Sequence, residues 1–310
     1  MGKFSVVISV YNKEGFIEKT LASVMNQTFE DFELVILNDG STDNSEAEIS
    51  KFTSDARVRY FSEENMGAGA GRNYVIKKAQ NEYIALLDAD DVWQPFYLEE
   101  QLRLIEKYPN DHVFATNSVL ISNGRTFKKS YSVNTENKED IKVNFFEGSC
   151  LHSIINSSSV VLHKDVFSKI GYYNPTIKSG QDTDLFIRVG VEYPVVFSPK
   201  ICVQIMVLKN SLSKSTKKVH EKANFDAYTH LEGQNQALKK YLDLNRYSLC
   251  LLAKVEGNKE AFQNNYDKID KNNLTKKQLF LLKQPGTMLE MLFRLKGFLG
   301  NLGLRFSVFK

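Results

Sequence analysis

Apolar positions follow two different rhythms along the chain. Residues 4–11 form a continuous β-branched run, which reads as a strand buried on both faces. Residues 14–25 carry Phe16, Ile17, Leu21, Val24 and Met25 at helical spacing. Residues 32–37 predict a second buried strand, followed by a polar helix to about Phe52. Residues 58–61 predict a short strand, 67–79 a helix opened by glycines, and 83–87 a fourth strand. Strands alternating with helices of this length imply an α/β fold: a mostly parallel sheet with helices on both faces. Beyond it the pattern predicts a helix from Phe96 stopped by Pro109, a strand over 113–121, strand-like residues 158–162, and helices over 164–170 and 182–192. One or two strands over 194–207 follow. Residues 122–148 are polar and weakly periodic, and read as a mobile excursion. After about Lys214 the strand signal stops, and 216–310 read as helical with breaks near Gly257, Asn272 and Pro285-Gly286.

In an open parallel sheet, ligands bind beyond the carboxyl ends of the strands, and polar clusters fall there in this sequence. Ser9-Val10-Tyr11-Asn12 follows the first strand, Asn38-Asp39-Gly40 the second, residues 65–73 the third and Asp88-Ala89-Asp90-Asp91 the fourth. Two carboxylates one residue apart repel and are raised in pKa unless a cation compensates. Their hard oxygens suit Mg²⁺ or Mn²⁺, which commonly also binds substrate phosphates. A solvated acidic turn is the alternative, weakened by the buried strand that precedes it.

Asp39 and Ser41 compete as helix N-caps, while the Asp39 carboxylate could instead accept a nucleobase N–H. Tyr11 suits stacking on the same base or a half-buried strand end. Gly67-Ala68-Gly69-Ala70-Gly71-Arg72 departs from the dinucleotide pattern, since Arg72 stands where a glycine is needed and the run follows the third strand. Its small residues allow a close ligand, and Arg72 can pair with phosphate or with a protein carboxylate. Asp182 and Asp184 open a helix, where one acid suffices for capping and dipole compensation. Asp184 can pair with Arg188 one turn on, which leaves Asp182 as the candidate general base.

Composition adds exclusions. Of 310 residues, 42% are apolar and 25% charged, an ordinary globular balance. The net charge of +3 does not suggest a dedicated nucleic-acid binder. It is unevenly spread: residues 1–215 carry 23 basic and 28 acidic side chains, residues 216–310 carry 17 and 9. Cys150, Cys202 and Cys250 are isolated, the five histidines lack metal-like spacing, and no leader-like segment is evident, pointing to a reducing, cytoplasmic setting. Serine-hydrolase and P-loop signatures are absent.

The ordered motifs Val6-Val7-Ile8-Ser9-Val10-Tyr11-Asn12, Asn38-Asp39-Gly40-Ser41-Thr42-Asp43, Asn65-Met66-Gly67 through Arg72-Asn73, Leu87-Asp88-Ala89-Asp90-Asp91, Gly180-Gln181-Asp182 and Asn210-Ser211-Leu212-Ser213 resemble family 2 glycosyltransferases of the GT-A fold. The resemblance covers about residues 3–213. It implies a catalytic domain over 1–215, with a donor site in 1–110 and an acceptor and base region in 111–215. The helical region 216–310 follows. It further implies inverting transfer from a nucleotide-sugar donor, most often a UDP-sugar, to a glycan or lipid-linked saccharide in bacterial surface polysaccharide synthesis. Ser9, Tyr11 and Asp39 would hold the donor's base, with Val10, Glu14, Arg72, Asp88 and Ala89 also on the donor. Asp90 would bind Mn²⁺ or Mg²⁺ with Asp88 and Asp91 nearby, and Asp182 would deprotonate the acceptor.

There are departures from the family pattern. Ser9 replaces a common proline, and Gln181 a usual glutamate, which removes a like charge beside Asp182. Leu208 and Lys209 stand where a metal-binding histidine often occurs. A metal-dependent nucleotidyl- or phosphotransferase and a non-catalytic nucleotide-sugar binder are the competing readings. Residues 287–310 mix thirteen large apolar residues with Arg294, Lys296, Arg305 and Lys310, Glu290 being the one acid. That pattern suits either an interfacial helix at the inner face of a membrane or a helix packed on this chain or on a second copy.

Overall fold

The computed structural model describes residues 2–135, 139–208, 216 and 218–301. The expected boundary near 215, the segment from Asn210 to Ser213, Lys209 and the end of the tail lie outside them. The strands are β1 (Phe4–Val10), β2 (Phe32–Asp39), β3 (Val58–Glu63), β4 (Tyr83–Leu86), β5 (Val92–Trp93), β6 (Val113–Ser122), β7 (Arg125–Lys128), β8 (Ile141–Val143), β9 (Val160–His163) and β10 (Val195–Met206). They form one sheet in the order β3-β2-β1-β4-β9-β6-β10-β5, with β7 on β6 and β8 on β10. The β3-β2-β1-β4 half is parallel, as is β6 with β10. β9 runs antiparallel between β4 and β6.

The helices are α1 (Ile17–Met25), α2 (Ser45–Ser50), α3 (Ala68–Lys78), α4 (Tyr97–Lys107), α5 (Phe145–Gly148), α6 (Lys164–Ile170), α7 (Gln181–Glu192), α8 (Gln236–Glu256), α9 (Lys259–Tyr266), α10 (Lys276–Lys283) and α11 (Gly286–Asn301). The pleat of each strand sends alternate side chains to opposite faces. Val6, Ile8 and Val10 of β1, Leu34 and Ile36 of β2, and Tyr83 and Ala85 of β4 join α1 and α4 in one core cluster. Val7, Val35, Leu37, Ile84 and Leu86 join α3, α5 and α7 in another. Continuing that second alternation toward the carboxyl ends brings Ser9, Asp39 and, just past β4, Asp88 to the α3 and α7 side.

One expectation changes. The described part of 122–148 is built into the sheet and core: β7 closes a hairpin on β6, β8 pairs with β10, and Phe145 and Phe146 are fully buried. Their rings stand 5.3 and 5.6 Å from that of Tyr241 on α8. Gly190 of α7 makes room, since a Cβ there would lie 2.6 Å from the Phe145 ring. A lone aromatic pair inside a polar stretch carries no periodicity, so its burial is invisible to pattern reading. The expected one or two strands over 194–207 are the single strand β10, long and with register shifts on β6 between Ser198 and Ile201 and between Ile201 and Val203.

The core under the carboxyl edge of β1, β2 and β4 also takes in Phe225, Tyr228, Leu238, Tyr241 and Leu242. The second half of α8 starts a separate cluster with α10 and α11 around Cys250, Leu251, Leu281, Leu282 and Leu289. α8 ends at Gly257, whose φ of +77° closes the helix in the left-handed region that glycine tolerates.

Candidate active site

β1 and β2 are in register with Ser9 opposite Leu37 and Val10 opposite Asn38, so their ends lie side by side. Tyr11 then leaves the sheet, 47% exposed, with its ring open to a ligand. Asn12 adopts φ +51°, and its Oδ1 accepts from the Thr42 N–H at 2.8 Å while its own N–H donates to Ser41 Oγ at 3.1 Å. Glu14 is exposed and braces the same loop: Asn44 N–H donates to its Oε2 at 2.9 Å, and Glu14 N–H donates to Asp43 Oδ2 at 3.0 Å.

Asp39 is buried and caps no adjoining helix. Its Oδ1 accepts from Met66 N–H at 2.8 Å, and α2 begins only at Ser45, with Asn44 ahead of it. Neither Asp39 nor Ser41 therefore fills the N-cap role that the turn composition suggested.

The glycine run packs α3 against the sheet. A Cβ on Gly71 would sit 2.3 Å from Ser9 Oγ and 3.3 Å from Asp39 Oδ2. This close approach is to protein, where the sequence suggested a ligand. Gly71→Ala is expected to lower unfolding stability by about 1–3 kcal/mol through overpacking and to weaken UDP binding. Adding Ser9→Ala should restore most of the stability, because the Ser9 Cβ would be an ordinary 3.4 Å away and only the 3.3 Å approach to Asp39 remains. Chemical denaturation of the parent and the two variants checks this.

Four carboxylates and two cations define the centre. Arg72 of α3 donates from Nη2 to Asp88 Oδ1 at 2.6 Å, and its Nη1 lies 3.9 Å from Asp182 Oδ1. Lys13 Nζ donates to Asp90 Oδ2 at 2.6 Å. The charge of the Asp88-Ala89-Asp90 turn is thus compensated by side chains from β1's end and α3, while Ala89 is buried and accepts from Thr20 Oγ1 at 3.2 Å. Burial still pushes the Asp90 carboxyl above its ordinary range, against the pull of Lys13.

Asp91 differs from its neighbours. It is buried, Ser158 Oγ donates to Oδ2 and Met206 N–H donates to Oδ1 at 2.8 Å, and burial with two acidic neighbours drives its pKa well up. It ties β9 and β10 to the turn, and both its oxygens are taken.

Asp182 sits in the first turn of α7, preceded by Gly180 in the left-handed region at φ +91°. Ser157 Oγ donates to Asp182 Oδ1 at 3.0 Å. Burial raises its pKa, and Arg72 opposes the rise. Asp184 pairs with Arg188 at 2.8 Å and accepts from Tyr228 Oη at 2.6 Å, as expected for the structural member of the pair. Gln181 Nε2 donates to the Lys178 carbonyl at 2.8 Å, so it steadies the entry to α7 and brings no charge.

Lys13, Ser157, Ser158 and Tyr173 escaped the sequence reading. Lys13 was discoverable, because it follows the first strand's motif directly. The serines were not, because they depend on β9 running antiparallel. Ala85 pairs with Val161, and extending that register brings Ser158 opposite Asp88, whose N–H donates to Ser158 Oγ at 3.1 Å. Tyr173 is buried below Arg72, which lies 5.4 Å from its ring centre, and is held by Asn73 through two backbone hydrogen bonds of 2.8 and 2.9 Å.

Asp88 and Asp90 offer hard oxygens of the kind Mg²⁺ and Mn²⁺ take, and such ions keep coordination positions for water and phosphate. Among the described residues no group of three or more His, Cys, Asp or Glu is arranged to hold a metal. A cation here would share the site with a bound diphosphate and compete with Lys13 for Asp90.

A sequence profile of Glycosyl transferase family 2 matches residues 5–171. The chain belongs to that family. An uncharacterized glycosyltransferase of Rickettsia felis is 28% identical over 257 residues, 80% of this chain and 42% of the relative. One from Methanocaldococcus jannaschii is 34% identical over 189 residues, 59% of this chain and 63% of the relative. The chain thus spans less than half of the first relative's length. Among solved structures, S. aureus TarS 1-349 in complex with UDP-GlcNAc superposes with a TM-score of 0.59 at 18% identity, covering 90% of this chain and 78% of that one. A longer S. aureus TarS gives 0.65 at 19% identity, with 93% and 53% covered. These likenesses establish the fold, and the family 2 sheet carries the strand-end carboxylates at its carboxyl edge.

Proposed function

We propose that this family 2 chain is an inverting glycosyltransferase. It moves a sugar from a nucleoside-diphosphate sugar, a UDP-sugar, to a hydroxyl of a glycan or lipid-linked saccharide in surface polysaccharide assembly. One observation carries the reading: Arg72 lies between Asp88 of the β4 turn, at 2.6 Å, and Asp182 of α7, at 3.9 Å, so the acidic strand end and the candidate base stand beside one guanidinium. Relatives named glycosyltransferases, and a similar fold whose crystals hold UDP-GlcNAc, support it.

In this reading Tyr11 stacks on the base, Asp39 accepts its N–H, and Ser9 and Val10 line the same edge. Glu14 keeps the 43–45 loop in place, and Arg72, Asp88 and Ala89 flank the ribose and diphosphate. Asp88 and Asp90 would hold Mn²⁺ or Mg²⁺, which when bound supplies positive charge to the leaving diphosphate. The acceptor oxygen forms its bond to the anomeric carbon as the carbon–oxygen bond to the diphosphate breaks, and that electron pair leaves with the nucleoside diphosphate. The hydroxyl proton passes to an Asp182 oxygen.

A donor screen that measures UDP release across UDP-sugars tests the assignment, and release of pyrophosphate or phosphate in place of UDP would favour nucleotidyl or phosphoryl transfer. Calorimetry gives a second check. Asp90→Ala should lose the gain in UDP affinity that Mn²⁺ produces, on the scale of about 10–100-fold for a damaged metal site. An unchanged, Mn²⁺-dependent affinity in that variant would take Asp90 out of the site.

A further inference from the structure

α10 and α11 both pack on α8, through Leu281, Leu282 and Leu289, with Leu292 and Phe293 partly covered by the same cluster. A helix whose apolar face is satisfied by one partner turns polar side chains the other way. These helices also turn large apolar side chains outward. Phe280 is 56% exposed, Met291 61% and Leu295 50%, the three most exposed large apolar side chains among the described residues.

The spacing places each of them among cations. At helical periodicity Lys276, Lys277, Phe280 and Lys283 share the outer face of α10, and all four are exposed. Met291, Arg294 and Leu295 share the outer face of α11, and the one acid near them, Glu290, is already paired with Arg294 at 2.7 Å. From residue 276 to the end of the sequence there are seven Lys and Arg and one Glu, a net charge of +6. The sequence beyond the described residues continues in the same character, with Leu302, Leu304, Phe306, Val308 and Phe309 beside Arg305 and Lys310. No helix among the described residues is long and apolar enough to cross a membrane.

Isolated apolar side chains each ringed by long basic ones suit a lipid headgroup boundary. Apolar groups enter the acyl region there, while lysine and arginine stems extend to the phosphates. We propose that the outer faces of α10 and α11 rest on an anionic lipid surface. Charge complementarity selects that occupant over a second copy of this chain, which would bring like charge against like: residues 276–301 alone carry five Lys and Arg and one Glu, a net of +4. The docking is independent of the proposed reaction, since the inner faces of α10 and α11 pack in a core cluster separate from the one beneath Asp39, Arg72 and Asp182. Its failure and the failure of the enzymatic reading are therefore separately visible.

Flotation of the full chain tests it, with vesicles of phosphatidylcholine alone and of phosphatidylcholine mixed with phosphatidylglycerol. The chain should float with the mixed vesicles, stay behind with the neutral ones, and be released as salt rises. A triple variant Phe280→Ser, Met291→Ser, Leu295→Ser should lower the bound fraction roughly tenfold. A second variant, Lys276→Glu, Lys283→Glu, Arg294→Glu, should abolish it, and both should keep the parent's UDP affinity. Three results would each overturn the proposal: no flotation with anionic vesicles, equal flotation with neutral ones, or a concentration-dependent dimer that the triple variant dissolves.

Discussion

Asp182→Asn should lower turnover by about 10²–10⁴-fold, the usual contribution of a positioned general base, while leaving donor binding close to that of the parent. The amide keeps the shape of the side chain and can still accept from Ser157, but it cannot take a proton. The effect should therefore fall on kcat, with the UDP affinity measured by calorimetry unchanged. Near-normal turnover would remove Asp182 from the reaction.

The same residue predicts a pH dependence whose sign is fixed. Burial raises the Asp182 pKa above the ordinary carboxylate value, and the charge of Arg72 with the hydroxyls of Ser157 and Tyr173 hold it down. A base must be ionised, so kcat/KM should fall as pH drops through that raised pKa. Ser157→Ala removes one of the three restraints, so the acid limb should move to higher pH with no large loss on the plateau. A limb that stays in place, or moves to lower pH, would mean that Ser157 does not act through Asp182.

What could be read in advance follows from how far each interaction reaches. β1, β2 and β4 announce themselves because strands buried on both faces are apolar without interruption, and the acidic and glycine clusters at their ends are local in sequence. Asp39, Arg72, Asp88 and Asp90 were therefore within reach, and one topological rule gathers them at one edge. Interactions across long separations were not. Ser158 meets Asp88 and Asp91 only because β9 is inserted antiparallel beside β4, and no property of the 157–159 serine run signals that direction. Lys13 was passed over for a related reason: a lone lysine after a strand reads as solvated until its carboxylate partner, 77 residues on, is placed beside it. The region 122–148 failed differently, since two phenylalanines anchor it where a periodic stripe was sought.

The largest effect on stability should come from a residue with no catalytic role. Arg246 lies in the middle of α8 and is fully buried, yet it is charged. Its Nη2 donates to Glu232 Oε1 at 2.5 Å, and its Nη1 is 3.6 Å from Asp243 Oδ1. Lys239 joins both acids, 2.6 Å from Asp243 and 3.1 Å from Glu232, while Asp243 Oδ2 accepts from Asp270 N–H at 3.1 Å and Asn273 Nδ2 at 2.8 Å. Two cations and two anions balance inside the helix bundle, at the point where α8 passes from the core beneath the donor edge to the separate C-terminal cluster. Nε and Nη1 of Arg246 have no hydrogen-bond partner there, so the arrangement depends on charge balance more than on donor satisfaction.

Arg246→Met keeps the bulk and leaves the four-membered group with one uncompensated buried negative charge. Breaking a buried pair from one side costs about 3–5 kcal/mol, which should lower the denaturation midpoint markedly. Arg246→Met with Glu232→Gln restores neutrality and should recover most of the loss, because Lys239 and Asp243 remain as a balanced pair. If the double variant is no more stable than the single one, the cost lies in the packing of the guanidinium and not in the charge it neutralises.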